Sequence, residues 1–172
     1  MMRSRLPRYR PWGRVASLPV RLDARTVPAS VDTLRQAFFT IAVETRAPGL
    51  VEITDEVASW VAAGSIVDGL VTLFIRHTSA SLVIQENADP DVQADLDAFL
   101  RRLVPEDPRL YRHIAEGDDD MPAHIRAALT ATQLSIPLRG GRLRLGIWQG
   151  IYVFEHRRGN FRRDVDVHVI GE

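Results

Sequence analysis

Residues Asp164–Ile170, DVDVHVI, set Val165, Val167 and Val169 between Asp164, Asp166 and His168. Successive side chains of a strand point to opposite faces, so this spacing predicts one buried face and one wet face. A half-wet strand belongs to an antiparallel sheet, because the strands of parallel sheets are covered on both sides. Upstream, Leu143–Glu155 reads as a long strand that reaches it through a turn at Gly159-Asn160. Gln133–Leu138 precedes that strand and turns back at Gly140-Gly141. Gly69–Arg76, GLVTLFIR, is apolar and β-branched enough to be a central strand, and Ser81–Ile84 continues as a short second one. Phe38–Thr45 and Leu50–Ile53 read as strands around a turn at Pro48-Gly49.

Three helices fall between these strands. Thr54 or Asp55 is expected to cap the first, with Val57, Trp60 and Val61 on one face and Gly64 at its end. Asp89, Pro90 and Asp91 supply an N-cap, a first-turn proline and a dipole-complementing acid for the second. Its core-facing residues are Val92, Leu96, Phe99, Leu100 and Leu103, and Pro105 stops it. A third, short helix is expected from Met121 or Pro122 to about Thr130. Strands therefore cluster with helices inserted between them, without βαβ alternation. The expected fold class is α+β, a largely antiparallel sheet in one domain.

Composition narrows the chemistry. The 172 residues contain no cysteine, which removes disulfides, thiolate nucleophiles and thiolate-ligated metals. All 22 basic residues are arginine, so Schiff-base and P-loop lysine chemistry are excluded. They balance 22 acidic residues to a formal net charge of zero, which suggests no whole-protein attraction to nucleic acid or membrane. No apolar run reaches the length of about 18 residues that a membrane helix needs, and a cytoplasmic location is expected. Residues 1–34 form a basic, proline-containing extension, expected to be flexible, ahead of a domain over residues 35–172. No aromatic interleaving or groove-reading motif accompanies those arginines, so no nucleic-acid partner is expected.

Of the five histidines, His77 follows the apolar strand at the point where polar residues begin, where a rigid element can present it to a cleft. His113 lies in the polar loop Tyr111–Asp120, and His124 lies near the start of the short helix beyond it. His–x10–His is not a local zinc signature, and each histidine by itself reads as an ordinary surface residue. Asp118, Asp119 and Asp120 read equally as cap and first-turn acids. Glu155 and His156 are adjacent on a strand and should face opposite sides.

The wording of several segments adds what periodicity does not. HTSAS from His77, ENADP from Glu86, YRH ending at His113, DDMPAH ending at His124 and WQGIYVFEHR from Trp148 occur in order. This set resembles the YjbQ family over roughly Phe38–Gly171. Ile147 and Ala131, where the family often has Thr and Gly, and the turn RGNFRR are departures that touch local substrate contacts and not the fold.

The resemblance implies a compact α+β fold assembling as a homotrimer, with histidine-lined clefts able to hold a divalent metal. It also implies a weak thiamine-phosphate synthase activity, which joins a pyrimidine methyl pyrophosphate to a thiazole phosphate and releases pyrophosphate. His77, His113 and His124 match the family histidines and are the expected metal ligands, for zinc or a similar ion. Magnesium is the expected ion if pyrophosphate chemistry dominates. His77, Glu86, Asp119 and Glu155 are the candidate catalytic groups. Ser79, Asn87, Trp148, Gln149 and Arg157 are the candidate contacts to a small phosphorylated substrate, with the indole stacking on a ring and the guanidinium clamping a phosphate. No nucleotide cofactor is expected. A non-catalytic metal- or phosphate-binding homotrimer would use the same histidines.

Overall fold

The computed structural model describes residues 34–172. The strand pattern closes into two antiparallel sheets. One has five strands in the order β1 (Arg35–Thr45), β8 (Phe161–Gly171), β3 (Gly69–Ile75), β5 (Gln133–Arg139) and β6 (Arg142–Leu143). The other has three, in the order β2 (Gly49–Glu52), β7 (Gln149–Glu155) and β4 (Ala80–Glu86). The helices are α1 (Thr54–Ala63), α2 (Pro90–Leu103) and α3 (Asp120–Leu129), with a short 3-10 turn at Pro108–Leu110. The architecture is α+β and antiparallel, as the alternation in DVDVHVI predicts.

That alternation places the core. Val165, Val167 and Val169 are almost fully buried, with Val71, Leu73 and Ile75 of β3 and Ile41 and Val43 of β1 on the same inner face. Leu82 of β4 and Ile151 and Val153 of β7 meet them from the three-stranded sheet, and Val57 and Val61 of α1 close the cluster. On the far side of that sheet, Tyr152 and Phe154 are buried where α2 and α3 pack on β4. Among the described residues no helix covers the outer face of the five-stranded sheet. None is long and apolar enough to cross a membrane either.

Local chemistry accounts for most boundaries. Asp89 caps α2 by accepting the Asp91 N–H at 2.9 Å. The two-residue β5–β6 turn puts Gly140 at φ +60° and Gly141 at φ +69°, the left-handed pair that a tight hairpin needs. Several expectations are corrected. Of the α2 residues expected to face the core, Leu100 is buried but Phe99 and Leu103 are exposed. Thr54 is the first residue of α1 and does not cap it; its hydroxyl bonds the Glu52 carboxylate at 2.7 Å and accepts the Ile151 N–H at 2.8 Å. The expected strand Leu143–Glu155 is broken between β6 and β7, where the Gln149 side chain accepts the Gly146 N–H and folds the intervening segment into a turn. The strand expected at Asp164 begins at Phe161, paired to Thr45. The basic extension expected over residues 1–34 lies outside the described residues, apart from Leu34.

Candidate metal centre

On α3, Asp120 and His124 are four residues apart and therefore share one face. The preceding loop brings His113 to the same spot. His113 Nε2 lies 2.8 Å from Asp120 Oδ2, and His124 Nε2 lies 3.3 Å from that same oxygen. The three donor atoms are within 4.8 Å of one another. A single carboxylate oxygen thus faces two imidazole nitrogens at a helix N-terminus, with Asp120 buried and both rings partly exposed.

The second contact of His124 fixes what its ring can do. A carbonyl only accepts, so the 3.0 Å contact between His124 Nδ1 and Thr78 O requires Nδ1–H as donor. In the neutral ring Nε2 then carries the lone pair, aimed at the carboxylate. A lone pair facing an anion calls for a cation or a proton between them. Metal-ligating histidines commonly make this backbone contact through the nitrogen that does not bind the ion. The donor set of two imidazoles and one carboxylate suits a divalent transition ion and leaves positions for other ligands.

Arg157, from the turn after β7, reaches the other side of the acidic pair. Its Nε donates to Asp119 Oδ2 at 3.1 Å, one terminal nitrogen donates to Asp120 Oδ1, and the other donates to the Glu116 carbonyl at 2.8 Å. The Arg158 N–H adds a 2.8 Å bond to Asp119 Oδ2. Burial would raise the Asp119 carboxyl, but these donors and the guanidinium charge hold it below the usual carboxylate range. Gly117, at φ +110°, lets the loop pass close: a side chain there would sit 3.1 Å from Asp119 Oδ1.

The expected ligand His77 stands elsewhere. It shares a groove of about 270 Å³ with Thr78, His124, Ala127, Ala128 and Thr132, but its Nε2 accepts the Asp164 N–H at 2.9 Å. That ring nitrogen is therefore committed to β8, and Asp120 takes the place given to His77 in the triad. Burial and the nearby Arg163 charge lower the His77 pKa, which favours the neutral ring. Ser79 is half-buried just before β4.

Other expected site residues separate along β4 and β7. Glu86 pairs with Gln149 at one end of that ladder, and Ala80 pairs with Glu155 at the other. Seven residues of strand span roughly 20 Å. Glu86, Asn87, Trp148 and Gln149 thus lie at the end away from the triad. There the Asn87 N–H bonds the Trp148 carbonyl at 3.0 Å and the indole is 63% exposed. Within one chain they cannot form a cleft with His113 and His124.

The catalytic role expected for Glu155 is also corrected. Its side chain is fully buried, with both oxygens bonded by Arg163 at 2.7 Å, a third bond from the Thr45 hydroxyl at 2.7 Å and a fourth from the Arg157 N–H. Burial opposes its ionisation, yet these donors keep its pKa below the ordinary carboxylate value. A carboxylate so held has no lone pair left for chemistry. His156 does face the opposite side, where its Nε2 meets the Ser81 hydroxyl at 2.9 Å. Sequence reasoning gave Asp120 only a capping role; the signal available was its i,i+4 spacing from His124.

Comparison with known proteins shows the family and the fold. A family model described as UPF0047 protein YjbQ-like matches residues 39–172. The chain is 51% identical over 144 residues to the UPF0047 protein sll1880 of Synechocystis sp., covering 84% of this chain and 98% of that protein. It is 41% identical over 126 residues to the UPF0047 protein YjbQ of Escherichia coli O157:H7, covering 72% of this chain and 91% of that one. A crystal structure from Sulfolobus solfataricus P2, described as a YbjQ-like protein of unknown function, superposes with a TM-score of 0.75 at 27% identity. It covers 81% of this chain and all of the other. A YjbQ/UPF0047 structure from Clostridium acetobutylicum gives a TM-score of 0.69 at 35% identity, covering 76% and 98%.

Proposed function

This chain belongs to the YjbQ-like UPF0047 family, and on that premise we propose that it is an enzyme of small phosphorylated molecules built around a divalent ion held by His113, His124 and Asp120. The observation that carries the reading is the His124 ring, which gives Nδ1–H to Thr78 and turns Nε2 toward Asp120. When bound, the ion supplies Lewis acidity and positive charge beside a phosphate oxygen.

Thiamine-phosphate synthesis is the reaction to test first. The thiazole nitrogen bonds to the pyrimidine methylene carbon while the bond from that carbon to pyrophosphate oxygen breaks, and no net proton transfer is needed. The protein then has to hold two rings in line and balance the leaving charge, with no general base required. The sequestration of Glu155 and the pairing of Asp119 with Arg157 are compatible with such a reaction. Arg157 is spent on the two aspartates and is not free to clamp a phosphate, and the more exposed Arg158 beside it is paired with Glu106. The test is pyrophosphate release from the two precursors by zinc- or magnesium-loaded chain. Release that disappears in Asp120→Asn supports the reading; no release by saturated wild-type chain refutes the synthase assignment.

A non-catalytic metal- or phosphate-binding role is favoured by one observation: the candidate acid–base groups Glu86, Asp119 and Glu155 are distant, paired or buried. Tight ion binding without turnover of any phosphorylated substrate offered would select it.

Assembly with further copies of the chain, as a homotrimer, is part of the proposal. Support comes from the uncovered outer face of the five-stranded sheet, where Phe38, Leu70 and Phe74 are 68%, 39% and 46% exposed. Asp164 and Asp166 on that face are already paired with Arg76, so it offers apolar surface with little net charge. Four strands of seven to eleven residues present on the order of 600 Å², close to the roughly 800 Å² per partner of a stable interface. Light scattering should give the mass of three chains, and Phe38→Asp with Phe74→Asp should reduce it to one. A single-chain mass for the wild type would refute assembly.

A further inference from the structure

We propose that Arg157 is the positioning residue of the centre: it occupies Asp120 Oδ1 so that Oδ2 alone serves His113, His124 and the ion they hold. This role rests on the metal reading of the triad given above.

Three features of the geometry carry it. First, the guanidinium does not touch the histidines; it binds Asp119, Asp120 and the Glu116 carbonyl, the three points that shape the loop entering α3. A planar fork can satisfy three acceptors in fixed directions, which a lysine ammonium cannot reproduce. Second, Arg157 is itself held, because its own N–H is bonded to Glu155 Oε1 at 2.9 Å. Glu155 in turn is locked by Arg163 and Thr45. The orientation of Asp120 is thereby referred back to the packed strands β1, β7 and β8, not left to a surface loop. Third, Asp119 and Asp120 are adjacent and little exposed. Two neighbouring buried carboxylates repel each other and need a shared cation to keep their places.

A carboxylate with one oxygen held by a guanidinium binds an ion through the other oxygen only. With two imidazole nitrogens this gives three protein donors, the number that leaves room for substrate or water. If Oδ1 were free, the same aspartate would be able to chelate through both oxygens and fill one of those positions. Arg157 therefore acts on the ion through Asp120, by direction as well as by charge, and not through contact with substrate.

Direction and charge predict opposite signs. Removing a positive charge near a bound cation would tighten binding, whereas loss of orientation weakens it. The experiment is cobalt(II) titration of the full chain followed by visible absorption, with thermal melting of the metal-free protein alongside. Arg157→Lys and Arg157→Gln should each weaken cobalt binding by about 10–100-fold. They should also lower or shift the d–d absorption at saturation, since a second aspartate oxygen raises the coordination number. Wild-type affinity and spectrum in both variants, or a gain of affinity in Arg157→Gln, overturns the proposal whatever happens to the melting temperature. His113→Ala separates the two levels. If it loses cobalt while the Arg157 variants behave as wild type, only the positioning role fails; if it binds as wild type, the centre itself fails and the role with it. Should the Arg157 variants not fold, Asp119→Asn removes one anchor of the guanidinium. A smaller loss with the same spectral change is expected, and an unchanged titration overturns the role.

Discussion

His124 stands with Nε2 3.3 Å from Asp120 Oδ2, one helical turn away, while its other ring nitrogen is tied to the carbonyl of Thr78. The contact joins α3 to the connection between β3 and β4, so the ring cannot turn without breaking its bond to Thr78. A ring tethered through Nδ1 keeps Nε2 as the nitrogen left for binding.

Metal affinity should therefore follow the triad and not the histidine count. Asp120→Asn and His113→Ala are expected to lower zinc or cobalt affinity by two orders of magnitude or more, read by calorimetry. His77→Ala should leave it within a few-fold of wild type, because His77 Nε2 is used by the Asp164 N–H. A large loss in His77→Ala would restore His77 as a ligand.

The buried pair Glu155–Arg163 makes a stability prediction. Arg163→Met leaves a buried carboxylate without its bidentate partner and should cost about 3–5 kcal/mol in urea unfolding. Adding Glu155→Leu removes the stranded charge, so the double variant should be more stable than the single one. Equal or worse stability of the double variant would show that the pair is worth more than the desolvation it requires.

A third expectation concerns pH. Burial beneath α2 and α3, followed by the charge of Arg126, lowers the His156 pKa to about 4 from an ordinary 6.5. The unfolded chain then takes up this proton at a higher pH than the folded one. The contribution of neutral His156 to stability is full above pH 6.5 and declines as pH falls toward 4. The span corresponds to about 3 kcal/mol at most. His156→Gln, which can keep the bond to Ser81, should flatten the melting temperature between pH 6.5 and 4. The carboxylates Glu155 and Asp119 are lowered as well, and their loss belongs to a more acidic range. A slope that is unchanged in His156→Gln would assign the acid sensitivity to other groups.

Gly171 offers a test of the five-stranded sheet. It pairs with Gly69 across β8 and β3, and a side chain on Gly171 would overlap the Asp68 carbonyl and lie 2.7 Å from Gly69 Cα. Gly171→Ala should cost about 1–3 kcal/mol by displacing backbone. A variant with wild-type stability would mean that the two strand ends part easily.

The sequence by itself determined the fold class, because the period of the pattern decides which face of a strand is buried, and that rule acts over a few residues. Val165, Val167 and Val169 are buried for that reason, and the Asp89 cap of α2 is equally local. The order of matching segments added the family, and with it His113 and His124. Tertiary structure alone decided the rest of the site. Asp120 looked like a first-turn acid until the loop delivered His113 to it, and Arg157 reaches it from 37 residues away through a strand order no local pattern encodes. The same packing sent Trp148 and Gln149 to the opposite end of β4 and buried Glu155 between the sheets. Residue type says what chemistry is available. Which groups meet depends on long-range contacts whose free energy comes from the whole core, and so is not written in any one motif.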